Sequence, residues 1–174
     1  TSTVQANQKP GFSITKYTCN GSGESFGHGL GAAPDFFQIK KIDNQARNWI
    51  GWHTGLTTAT TGYIQLNRTN AEGNDNLWTT QAPSSTVIHV KSNTTEGNNP
   101  SGDSYICYAW RAIEGYSSFG KYEGNNDANG PFVYTGFRTR LVVIKAIDSA
   151  QDWIVCDTLR ETFNPLGEKV LPWN

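Results

Sequence analysis

The chain has 174 residues, with 14 Lys and Arg against 15 Asp and Glu, a net charge of −1 and 12% aromatic residues. One domain of this length hides about 70% of the surface its unfolded chain exposes, so it can build a core without metals or bridges. Six Trp, seven Tyr and eight Phe argue against a disordered chain. The balanced charge argues against nucleic acid as a main partner, and no stretch nears the ~18 apolar residues of a membrane-crossing helix.

In chain order, the opening TSTVQANQKPGF has neither the charged region nor the apolar core of a signal peptide. The chain therefore reads as a mature product or a fragment. FFQIKKI (36 to 42) and WIGWHT (49 to 54) suit strands, with DNQAR between them as a turn. GYIQLN (62 to 67), STVIHV (85 to 90) and SYICYAWRAI (104 to 113) alternate apolar and polar or aromatic residues, the period-two signal of strands. RLVVIKAI (140 to 147) and DWIVCDT (152 to 158) follow. The stretches 91 to 103 and 123 to 131 are rich in Asn, Gly and Ser or Asp and read as loops. Short helical pieces are expected only near 71 to 78 and 158 to 163. Short strands with loops of varied length predict an all-β fold, an antiparallel β-sandwich of jelly-roll or concanavalin-like type, as one domain over 1–174. Within 104 to 110 both faces are apolar, which suggests a cover such as another subunit.

One pattern recurs. Ile39, Lys40, Ile42 and Asp43 match Ile144, Lys145, Ile147 and Asp148. After one deletion, Trp49, Ile50 and Thr54 match Trp153, Ile154 and Thr158. Further matches upstream extend the repeated units to about 16–54 and 121–158. Two copies are too few for a solenoid, so they predict equivalent strand–turn–strand units of one sandwich, in opposite sheets or side by side. The isoleucines should face the core and the lysines solvent. Each Asp can bond backbone two residues on, and Trp49 and Trp153, as scaffold, should each bury most of an indole.

Chemistry-bearing motifs are sparse. His28, His53 and His89 lack metal-site spacing, and Cys19, Cys107 and Cys156 lack it too. The cysteines read as three buried thiols, with one disulfide plus a free thiol as the alternative. There is no GxSxG, no phosphate loop and no strand placing two carboxylates on one face. No catalytic residue, cofactor site or metal site is assigned. Residues outside the repeat matches are where a ligand or interface should be sought: Arg47, Trp52, His53, Trp78 and Trp110. Sugars stack on exposed Trp and bond to Asn and Asp, so a glycan site among these aromatics competes with burial in the core or in subunit contacts.

Several segments together carry a resemblance: GFSITKY (11 to 17), GHGLGAAPDFFQIKK (27 to 41), YICYAW (105 to 110), the run from EGYSSFGKY through FVYTGF to VVIK (114 to 145), and DWIVCDTLRETFNP (152 to 165). From about Gly11 onward the chain resembles a domain found in tail-associated and other virion proteins of tailed bacteriophages. It departs from that pattern at Cys19, where glycine is usual, and at Cys156, where tyrosine is common. The resemblance implies a virion setting, assembly in a host cytoplasm and exposure on the extracellular particle. It implies other virion proteins as partners, and it brings no catalytic residues. The expectation is a non-enzymatic structural or adhesion module, a homo-oligomer, with a host surface glycan as an alternative partner and a polysaccharide depolymerase as the third reading.

Overall fold

The period-two segments become paired strands in the computed structural model, which describes residues 2–43, 47–92, 100–160 and 171–172. The strands are β1 (Ser2–Asn7), β2 (Phe12–Thr18), β3 (Glu24–Gly27), β4 (Phe36–Lys41), β5 (Ile50–His53) and β6 (Gly62–Gln65). They continue with β7 (Gly73–Asn74), β8 (Val87–Val90), β9 (Ser104–Trp110), β10 (Leu141–Ile144), β11 (Ile154–Asp157) and β12 (Leu171–Pro172). Seven form one antiparallel sheet in the order β1-β2-β9-β4-β5-β6-β7; β3 pairs with β8, and β10-β11-β12 form a third sheet. The described residues include no helix. The fold is an all-β sandwich.

Most of the core lies on one face of the large sheet, and Ile64, paired with Gly51, extends it to the other. Alternation in β9 sends Tyr105, Cys107 and Ala109 inward, and the register sets Cys107 between Thr15 of β2 and Ile39 of β4. The β3–β8 pair supplies Phe26, Ile88 and Val90 from above, and the Phe26 ring stacks on Tyr17 at 4.2 Å. Leu30, Leu77 and Trp78 complete this layer from the connecting segments. Phe37 stacks on Trp52 at 5.6 Å and meets the edge of Trp78 at 5.0 Å. Buried indole N–H groups need acceptors. Trp52 donates to the Ala59 carbonyl at 2.9 Å and Trp78 to the Gly62 carbonyl at 2.8 Å. Lys41 also points inward, where Asp103 lies 2.6 Å and Asp43 3.7 Å from its Nζ. Cys19, Cys107 and Cys156 are buried thiols.

Several expectations need correction. Residues 71 to 78 are not helical: they hold β7 and a bend. Thr158–Arg160 is a turn, and residues 161 to 163 lie outside the described residues, as do 44 to 46 and 93 to 99 of the expected turn and loop. The backbone position two residues beyond Asp43 falls among these. Asp43 accepts from the Ser104 N–H at 2.6 Å. Asp148 meets the Ser149 hydroxyl at 3.4 Å.

The two copies of the repeated pattern are β4–β5 and β10–β11. Ile39 pairs with Ile50 in one, and Ile144 with Ile154 in the other, in different sheets. Upstream the likeness ends: Lys16 and Tyr17 lie in β2, whereas Lys121 and Tyr122 are exposed and belong to no strand. The lysines do not simply face water. Lys145 Nζ donates to the carbonyls of Thr69, Ala146 and Gln151 at 2.8–3.1 Å. Trp153 is buried and donates to the Gln65 carbonyl at 2.9 Å, tying the third sheet to the large one. Trp49 is less fully enclosed.

Candidate functional site: the outer face of the large sheet

The second face of the large sheet follows from the same register. Phe12, Trp110, Phe36 and His53 form one cross-strand row over β2, β9, β4 and β5. Ile14, Tyr108, Gln38 and Gly51 form the next, and Lys16, Ile106 and Lys40 the third. Successive strand residues point to opposite faces, so a strand with apolar residues at every position must line two apolar surfaces. On the inner side Tyr105, Cys107 and Ala109 are 1% exposed. On the outer side Ile106, Tyr108 and Trp110 are each half-buried, as are Phe12, Ile14 and Phe36.

Rings touch across this face in a continuous series. Trp49 lies 6.1 Å from Tyr108, Tyr108 6.4 Å from Trp110, and Trp110 5.1 Å from Phe12 and 5.3 Å from Phe36. These separations are in the range of favourable offset or tilted ring pairs. Gly51 lets the face close near β5: a Cβ there would stand 3.3 Å from Ile64 and 3.5 Å from Phe36. Beyond it the face ends, because Ile64 is buried and Phe119 lies 6.4 Å from Phe36 and 6.2 Å from His53.

The face has a sign. The three rows hold Lys16 and Lys40 and no carboxylate. Lys40 Nζ sits 5.8 Å from the centre of the Trp49 ring and donates to the Arg47 carbonyl. Gln38 Oε1, in the middle row, is buried with no hydrogen-bond partner among the described residues. An unsatisfied buried acceptor costs about 1–3 kcal/mol, so this row lacks a donor.

The candidates from sequence divide accordingly. Trp110 and His53 lie on the outer face, in one row, and Arg47 reaches its edge through the Lys40 contact. Trp52 and Trp78 do not belong to it. They are 4% and 1% exposed and offer no indole surface to a ligand, because alternation aims Trp52 inward and Trp78 fills the second layer. Sequence reasoning missed Phe12, Phe36, Trp49, Tyr108 and Phe119. The signal for Tyr108 was present in the two apolar faces of 104 to 110; the others needed the strand register. His53 Nδ1 accepts from the Gly55 N–H at 2.8 Å. Burial lowers its pKa, with Asp35 opposing.

Elsewhere the polar groups serve structure. His28 is fully buried; its Nδ1 accepts from Leu30 N–H at 3.2 Å and its Nε2 meets the Ser84 carbonyl at 3.1 Å. Burial lowers its pKa, and the Ser84 contact opposes. Glu72 accepts from the N–H groups of Thr57 and Thr58, and Asp35 from that of Ala112. A cleft of about 240 Å³ is lined by Arg138, Arg140, Thr158 and Leu159, and one of about 260 Å³ includes Glu24. Neither brings two carboxylates together. Among the described residues, no three His, Cys, Asp or Glu side chains are grouped to hold a metal ion.

No curated protein matches the chain, and no solved structure does. A family model does match, over residues 1–174, from end to end. The chain carrying this two-faced sheet therefore belongs to the family described as a domain of unknown function, DUF7483.

Proposed function

We propose that this domain is a non-enzymatic structural or adhesion module of a phage particle, acting through protein–protein contacts made by the outer face of its large sheet. The observation that carries the reading is the aromatic series from Trp49 through Tyr108 and Trp110 to Phe36, half-buried on the reverse side of the strands that build the core. A contiguous apolar patch on a monomer marks an interaction site more often than isolated apolar residues do, and aromatic residues are enriched at protein interfaces. The virion setting draws on the sequence resemblance. The carboxylates that cap Thr57, Thr58 and Ala112 fit a scaffold better than an acid–base pair.

A glycan reading retains one supporting observation. Beside Trp49, Asn48 Oδ1 accepts from Asn67 Nδ2 at 3.1 Å and from Arg68 Nε at 3.2 Å, a polar cluster next to a half-exposed indole. Two experiments separate the readings. An image of the intact particle that sets the outer face against another protein chain supports the proposal, and one that leaves it open to solvent overturns it. A glycan-array signal abolished by Trp49→Ala would favour the sugar instead.

A further inference from the structure

Between β9 and β10 the chain runs a long way without a strand. Only the Ile113–Ser117 bridge interrupts it, and every residue from Gly120 to Tyr134 is exposed. Loops of more than about 12–15 residues without secondary structure are uncommon in compact domains and usually functional or disordered. This one carries apolar side chains that its own chain leaves uncovered: Phe132 is 89% exposed, Tyr134 81% and Val133 50%. Its base is fixed at the rim of the outer face, where Phe119 packs near Phe36 and His53. Thus one chain presents both a half-buried aromatic face and an exposed aromatic arm.

Charge favours joining the two. The face offers Lys16 and Lys40 without a carboxylate. From Gly120 to Tyr134 the arm carries Glu123 and Asp127 against Lys121 alone. Lengths agree as well. From Asp127 to Phe132 the chain reaches about 17 Å at full extension, less the bend that Asn125, Asp127 and Asn129 hold at its start, and from Lys16 to Phe12 along β2 is about 14 Å. Area decides the form of the contact. Four strands about 4.8 Å apart and five residues deep give a patch on the order of 300 Å² in plan. That is well below the ~800 Å² each partner contributes to a stable complex. In a closed symmetric assembly each copy gives an arm and receives one, which adds the arm's surface to the face's.

We propose that the Gly120–Tyr134 arm of one copy lies across the outer face of a second copy, with Phe132 and Tyr134 on Tyr108, Trp110 and Phe12, and Glu123 and Asp127 toward Lys16 and Lys40. This rests on the reading of the outer face as a protein-contact surface and names its partner. The test is sedimentation of the full chain at micromolar concentration, with circular dichroism as a check on folding. Wild type should self-associate. Phe132→Ser with Tyr134→Ser alters only exposed side chains and should weaken association about a hundredfold. Lys16→Glu with Lys40→Glu should weaken it about tenfold or more, as should Glu123→Lys with Asp127→Lys, and combining all four should restore it.

A wild-type chain that stays monomeric overturns the second copy, and the particle image then decides the wider reading alone. Association that survives the arm variant, or a charge swap without rescue, overturns the arm. If such an assembly still dissociates on Ile106→Glu with Tyr108→Glu, the protein-contact role of the face stands without it.

Discussion

The hairpins β4–β5 and β10–β11 share a sequence pattern and a cross-strand pair, yet they meet different surroundings. In both, a tryptophan directly precedes the isoleucine that pairs across the hairpin. Adjacent strand residues face opposite ways, so Trp and Ile cannot share a face. In β4–β5 the isoleucines take the core, at 1% exposure each, and Trp49 turns to the outer face. In β10–β11 Ile154 is half-buried, and Trp153 is the residue enclosed, with its N–H on Gln65. The pattern thus specifies a strand–turn–strand unit and its pairing. Which side becomes interior depends on the layer packed against it.

That contrast can be broken most forcefully at the tryptophans. Trp153→Ala should cost about 3–5 kcal/mol in denaturant unfolding, because it empties an enclosed site and removes the indole N–H bond to the Gln65 carbonyl. Trp52→Ala belongs in the same class. Trp49→Ala, on the half-exposed side, should cost about 1 kcal/mol, the scale of a lost ring pair plus partial burial. Similar losses at Trp49 and Trp153 would remove the distinction between the two environments.

The neighbouring lysines of β4 give the next largest effect. Lys41 is buried beside Asp103 and Asp43, whereas Lys40 lies on the outer face over Trp49. Removing one member of a buried pair typically costs about 3–5 kcal/mol. Asp103 keeps 22% of its side chain exposed, so Lys41→Met should fall near the lower end. Lys40→Met should stay within about 0.5 kcal/mol. A thermal melt that shifts equally for both would contradict the two-faced sheet.

Acidification gives a smaller effect. Burial lowers the pKa of His28 and of His53, so each imidazole binds its proton more weakly in the folded chain than in the unfolded one. The unfolded chain then takes up more protons as pH falls, and the contribution of both residues is present above about pH 6.5 and lost progressively below it. Protonation of His28 would also remove the Nδ1 lone pair that holds Leu30 N–H. Unfolding midpoints measured from about pH 7 to 5 should therefore decline, and less steeply in His28→Asn. An unchanged slope in that variant would show that His28 does not titrate on unfolding.

Much of the sandwich was legible as alternation. Segments 36 to 42, 49 to 54, 62 to 67, 85 to 90, 104 to 113, 140 to 147 and 152 to 158 each contain a strand. β1 escaped because Ser2–Asn7 is exposed throughout and owes its strand state to pairing with β2. β3 escaped because four residues, ESFG, find their partner only in β8. The outer face was half legible. Both sides of 104 to 110 read as apolar, but the insertion of β9 between β2 and β4 is a long-range choice that no local pattern records. Without that register, Phe12 and Phe36 could not be placed beside Trp110. The repeat also did not record a difference in degree: both tryptophans bury most of the indole, but only Trp153 is enclosed.

The central claim is that the outer face of the large sheet is covered by protein in the working assembly. Hydroxyl-radical footprinting of Trp49, Tyr108 and Trp110, in the chain diluted until it is monomeric and in the proposed assembly, the intact particle, tests it most directly. Strong loss of labelling at all three in the particle, with exposed Lys9 as an unchanged control, is the result expected. Equal labelling in both states would contradict the account.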